Sequence, residues 1–86
     1  MLAIVYSPTF ARMFKRLEGG LQDEAIERIS LFRDIKNHHV LKVHKLRGQF
    51  SDKYGFSVNY QTRIVFQYLT KKEVALMAIG DHDIYK

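Results

Sequence analysis

Arg63-Ile64-Val65-Phe66-Gln67-Tyr68-Leu69, Thr70-Lys71-Lys72-Glu73 and Val74-Ala75-Leu76-Met77-Ala78-Ile79 follow one another without a break. The first run is rich in β-branched and aromatic residues and reads as a strand. The polar quartet reads as a hairpin turn. The third run is apolar throughout and lacks the alternation of a strand with one wet face. It predicts a central strand of a covered sheet.

Working upstream, residues 54–60 alternate Phe56, Val58 and Tyr60 against Gly55, Ser57 and Asn59, a strand with one buried face. A turn near Asn59 and Thr62 joins it to the next strand. A shorter strand is expected over 40–46, ending at Gly48. Further upstream the period changes. Phe10, Met13, Phe14 and Leu17 fall at i, i+3, i+4 and i+7, one face of a helix. Ser7-Pro8 supplies its start, with Ser as N-cap and Pro in the first turn, and Gly19-Gly20 is read as its stop. A second helix is expected over 21–36, its apolar face Leu21, Ala25, Ile26, Ile29, Phe32 and Ile35. Asp23 and Glu24 would open it, Arg33 and Lys36 close it, and Glu24 and Arg28 would form an i, i+4 pair. Residues 2–6 read as a first strand. The order β-α-α-β-β-β-β is that of an α+β domain with a helical hairpin on one face of a sheet.

At 86 residues the chain suits one domain. It has no cysteine, which removes disulfides, thiolate metal sites and a Cys nucleophile. No apolar run approaches a membrane span, and the apolar start is too short for a signal-peptide core. A cytoplasmic protein is expected. The net charge is +5, which favours a polyanionic or acidic partner. Its distribution says more than its sum: residues 35–51 hold no acid, but hold Lys36, Lys42, Lys45 and Arg47 with His38, His39 and His44 among them. This is the electrostatic footprint of phosphate contacts. The histidines lack zinc-site spacing, and adjacent His38 and His39 would diverge on a strand, so no metal is expected.

The chain closes on Gly80-Asp81-His82-Asp83-Ile84-Tyr85-Lys86. A strand that ends in glycine and releases an imidazole, carboxylates and a phenol carries groups able to move protons near neutral pH.

Several pieces taken together resemble the RelE/ParE toxin superfamily. They are Tyr6-Ser7-Pro8 before the first helix, His44-Lys45-Leu46-Arg47-Gly48, residues 54–60 with Arg63-Ile64-Val65-Phe66, and the closing Ile79-Gly80-Asp81-His82 with Tyr85. No single piece is diagnostic, but the resemblance covers the whole chain in order. It implies a helical hairpin packed on a curved, mostly antiparallel sheet of four to five strands. It also implies a toxin with a cognate antitoxin protein as partner, acting with no cofactor. Many such toxins are ribosome-dependent endoribonucleases that cut mRNA, whereas the ParE-like branch binds DNA gyrase and cuts nothing.

For a nuclease the resemblance implies metal-free transesterification, in which the ribose 2′-oxygen attacks the adjacent phosphate and the 5′-oxygen leaves. Such a reaction needs a base, a cation and an acid. Arg63 matches the family's phosphate-gripping arginine, His82 the histidine that protonates the leaving oxygen, and Tyr85 the C-terminal aromatic that stacks on a base or orients a phosphate. The base departs from the family pattern. Some relatives use lysines on the strand after the Leu-x-Gly motif, where this chain has Gly55, Ser57 and Asn59. His44 is the first choice for the role, with Asp81 and Asp83 as other candidates and Lys45 and Lys53 as cations. Lys36, Lys42, Lys45, Arg47 and Lys53, with Arg12, Lys15 and Arg16 on the first helix, are the expected RNA contacts. A gyrase-directed module and a degenerate RNA- or antitoxin-binding relative are the alternatives.

Overall fold

The computed structural model describes residues 1–81 and Ile84. Five strands form one mixed sheet: β1 (Ala3–Tyr6), β2 (His44–Lys45), β3 (Tyr54–Ser57), β4 (Thr62–Thr70) and β5 (Glu73–Asp81), in the order β1-β5-β4-β3-β2. Only β1 runs parallel to its neighbour β5; the other pairings are antiparallel. Two helices, α1 (Pro8–Lys15) and α2 (Gly19–Phe32), pack on the sheet. The architecture is the expected α+β arrangement, and the apolar run at 74–79 lies inside the sheet, paired on both sides.

Ser7 begins α1 as its sequence predicts. Its Oγ accepts from the Phe10 N–H at 3.0 Å and donates to the Met77 carbonyl at 3.2 Å. One side chain therefore caps the helix and ties its start to β5. The glycine pair behaves differently from the expected stop. α1 ends before it, with Arg16 N–H bonded to the Met13 carbonyl. Gly19 and Gly20 open α2, because the Glu18 carboxylate accepts from the Gly20 and Leu21 N–H groups at 3.1 and 2.6 Å. A carboxylate at a helix start satisfies free N–H groups and meets the positive end of the dipole.

α2 also stops earlier than the expected residue 36. Asp34 caps a tight 3-10 turn at Ile35–Asn37, and Asn37 Nδ2 and His38 Nε2 reach the Leu31 and Phe32 carbonyls at 2.9 and 2.8 Å. Short polar side chains offer the last helical turn an alternative to continuing. The expected Glu24–Arg28 pair gives way to a longer-range contact, with Glu24 Oε1 accepting from Asn59 Nδ2 at 3.0 Å.

The strand expected over 40–46 shrinks to His44–Lys45. Lys42 has φ of +60°, outside the extended region, while buried Leu41 anchors the loop and its carbonyl accepts the Ser57 N–H. β3 is likewise shorter than 54–60. Asn59 Oδ1 accepts from the N–H groups of Gln61 and Thr62 at 2.9 and 2.8 Å, an Asx turn that ends the strand early. Tyr60, which alternation placed with the core, is 93% exposed.

One aromatic cluster joins helix to sheet. Phe32 stacks on Phe56 with ring centroids 4.4 Å apart and meets Phe66 edge-on at 4.7 Å. Leu2, Phe10, Ala25, Ile29, Leu41, Val58, Ile64, Val74, Leu76 and Ile79 complete this buried cluster. Ile64 and Phe66 therefore face it, and by alternation Arg63, Val65 and Gln67 face the opposite way. The β4–β5 register shifts between Val65 and Phe66, leaving Met77 as an extra residue on β5. Such a bulge bends and twists the sheet locally.

Candidate nucleic-acid interface

Arg63 stands near the start of β4, in register with Ser57 on β3 and Gly80 on β5. Its Nη1 donates to the Asn59, Tyr60 and Thr62 carbonyls at 2.7, 3.0 and 3.3 Å. Among the described residues these are the hydrogen bonds of its guanidinium, so Arg63 is a clamp on the β3–β4 turn as well as a charge. With Nη1 held, the Nε–Nη2 edge remains the pair of parallel donors suited to two phosphate oxygens.

His44 on β2 is in register with Gly55 on β3. Gly55 and Ser57 share a face of the sheet, so His44 and Arg63 share it as well. Two strand spacings across and two residues along put their Cα atoms about 12 Å apart. The strand between them carries only the small residues Gly55, which is buried, and Ser57, which is half-buried, and this low stretch between an imidazole and a guanidinium is called the trough below. His44 Nδ1 lies 2.9 Å from the Lys42 carbonyl oxygen. A carbonyl only accepts, so Nδ1 is the donor in this contact.

Gly80 closes the trough on the far side. A Cβ there would lie 2.6 Å from Ile84 Cγ2 and 3.8 Å from Met13 Cε. Glycine lets Ile84 pack back onto the strand end beside Arg63. His82, Asp83 and Tyr85 lie outside the described residues. Asp81, the remaining carboxylate candidate, is exposed and in register with Thr62.

The expected basic contacts fall into separate groups. Lys42, Lys45 and Arg47 are exposed on the β2 flank. Arg12, Lys15 and Arg16 are exposed on or just after α1, which packs along β5 near the other flank. Lys36 is paired with Asp34 at 3.7 Å, and half-buried Lys53 with its neighbour Asp52 at 3.2 Å, so local carboxylates offset both. His38 has a structural place, stacked on Phe32 at 4.7 Å and bonded to its carbonyl. No group of His, Asp or Glu among the described residues could hold a metal ion. Burial, and then the nearby Tyr54, push the Tyr68 phenol above its ordinary range. Tyr68 lies toward the other end of β4, away from the trough.

Beside the Asn59–Thr62 turn lies a groove of about 380 Å³, into which α2 sends Arg28, the 40–42 loop Val40 and Lys42, and the turn Tyr60 and Arg63. Sequence reasoning did not place Arg28 and Tyr60 in this groove. Arg28 was assigned to Glu24 and Tyr60 to the core. A signal for Arg28 was present: it lies three residues after Ala25 and four before Phe32, both buried, on the border of the helix face turned to the sheet.

No protein-family model matches the chain, and no curated protein matches it in sequence. Solved structures do match in shape. YafQ from Escherichia coli superposes with a TM-score of 0.75 at 19% identity, over 98% of this chain and 97% of that one. The toxin–antitoxin complex RelBE2 from Mycobacterium tuberculosis gives 0.74 at 12% identity, over 94% and 98%. The fold is that of the RelE-like toxins. The YoeB–YefM complex from Staphylococcus aureus agrees, at 0.73 and 16% identity over 95% and 98%. A RelE-like fold accounts for the layout described above, while the chemistry of the trough has to be argued from its own side chains. No helix among the described residues is long and apolar enough to cross a membrane.

Proposed function

We propose that this chain is the toxin of a toxin–antitoxin pair and a metal-independent endoribonuclease that cuts ribosome-bound mRNA. The observation that carries the reading is the shared sheet face of His44 and Arg63. Gly55 and Ser57 lie between them, and the tail bearing His82 follows the strand end beside Arg63. A phosphodiester over Gly55 and Ser57 is approachable from both sides. His44 Nε2 takes the 2′-hydroxyl proton, the 2′-oxygen bonds to phosphorus, and the 5′-oxygen leaves with a proton from His82. Arg63 offsets the added charge on the phosphoryl oxygens, and Tyr85 stacks on a neighbouring base. The basic flanks contact ribosomal RNA phosphates.

The antitoxin half of the reading has its own support. The similar structures include toxin–antitoxin complexes. An apolar groove of about 260 Å³ opens among Tyr6, Phe10, Phe14, Ile26 and Ile29, with Tyr6 and Ile26 more than half exposed. An acidic antitoxin segment, ordering as it binds, would cover the basic surface beside it.

Expression in growing cells tests the reading. Translation arrest is expected, relieved in Arg63→Ala and His82→Ala variants that keep the fold. Equal toxicity of both variants would remove the site assignment. DNA damage and filamentation without translation arrest would point to gyrase instead.

A further inference from the structure

The groove at the β3–β4 turn holds two features that the trough does not use. Arg28 Nε is buried and has no hydrogen-bond partner. Tyr60 is 93% exposed at the lip of the same groove. A guanidinium keeps its charge at any physiological pH, so half-buried Arg28 brings positive charge to the groove wall whether or not its sheltered Nε is itself reached. Glu24, one turn earlier on α2, accepts from Asn59 through Oε1 and is not bonded to Arg28 Nε. Among the described residues no carboxylate lines the groove, whereas Lys42 and Arg63 do. Positive charge from α2, the 40–42 loop and β4 therefore converges on one concavity, whose volume is within the range of small-ligand sites, about 300–1,000 Å³. Next to it stands a solvent-facing phenol ring that serves no core.

We infer that this groove is a nucleotide subsite, in which Arg28 and Lys42 hold a backbone phosphate of single-stranded RNA and Tyr60 stacks on its base. The inference rests on the RNA-directed reading above and extends it to residues outside the reacting group. Arg63 links the two places, since its Nη1 fixes the turn that carries Tyr60 while its charge faces the trough. A strand crossing Gly55 and Ser57 thus has a neighbouring phosphate–base unit to anchor it. Phosphate contacts of this kind set affinity and its salt dependence, and aromatic stacking adds sequence-tolerant grip.

The test is equilibrium binding of a short single-stranded oligoribonucleotide with 2′-O-methyl riboses, which cannot be cleaved. It is measured by fluorescence anisotropy across a salt series. Arg28→Gln should weaken binding about tenfold and lower the slope of log affinity against log salt by about 1. Tyr60→Ala should weaken binding about tenfold with the slope unchanged. Lys72→Ala, in the β4–β5 turn, should bind as the parent does. The exposed Tyr60 can be replaced without touching the core, so its result stands even if Arg28→Gln loses thermal stability. Failure of the parent to bind, or both variants binding within about twofold of it, overturns the subsite. A parent that binds with these dependences but cuts no mRNA keeps the subsite and removes the nuclease reading. Intact cleavage with unchanged binding in both variants does the reverse.

Discussion

Arg63 holds the β3–β4 turn and, on the proposed reading, also grips phosphate, two roles that substitution can separate. Its Nη1 clamps carbonyls of the β3–β4 turn, and its charge faces the trough. Arg63→Lys keeps a cation but has no planar fork to serve carbonyls and phosphate at once. It should cost about 1–2 kcal/mol, since hydrogen bonds to charged groups contribute roughly that much. Thermal unfolding would show this as a fall of several degrees. Cleavage should fall further, by about 10²–10³, the usual cost of losing one charge-stabilising donor. Equal losses in stability and cleavage would mean that the clamp is the whole of its role. Gly80 poses a cleaner case. Gly80→Ala introduces a Cβ that Ile84 must yield to, while the core on the other face stays packed. Its melting temperature should stay close to the parent's, and cleavage should drop by about tenfold or more as the tail shifts, because small misplacements of a catalytic group are costly. At this scale the sequence offered Arg63 and His44 as candidates by residue type and motif, and the structure sets them on one sheet face. The sequence could not place Tyr60 beside Arg28, because that depends on where Asn59 ends β3.

Elements were legible where a local signal stood unopposed. Ser7-Pro8 announced α1, and its apolar face followed by period; uninterrupted hydrophobicity announced β5. Ser7→Ala should destabilise by about 1–2 kcal/mol, at the upper end for an N-cap, because the same hydroxyl holds the Met77 carbonyl. Chemical denaturation measures this, and a loss under about 0.5 kcal/mol would mean that backbone pairing alone fixes the helix start. The misread boundaries of the helices and of β3 share one cause. Glu18, Asp34, Asn37 and Asn59 each bond nearby backbone groups and override a period or propensity signal. Gly19-Gly20 looked like a stop because glycine often ends helices, yet the Glu18 carboxylate beside it made the pair a start. The 40–46 segment failed as a strand because Lys42 takes a positive φ and Leu41 turns into the core.

Across the whole molecule, the RelE-like layout was legible because element order and motif order agreed along the full chain. The distribution of charge over the surface was not. The sequence offered a basic window at 35–51 and further cations on the first helix, and the sheet order sets the α1 cations and those on β2 toward different flanks. The site's acid and aromatic, His82 and Tyr85, stand as proposals from residue type and position in the chain. The most direct measurement is cleavage of mRNA on programmed ribosomes by the purified parent and by Arg63→Ala, with the product ends identified. The account predicts cuts that leave a 2′,3′-cyclic or 3′-phosphate and a 5′-hydroxyl, about 10³-fold slower in the variant. An absence of cuts, 5′-phosphate ends, or a variant as fast as the parent would contradict it.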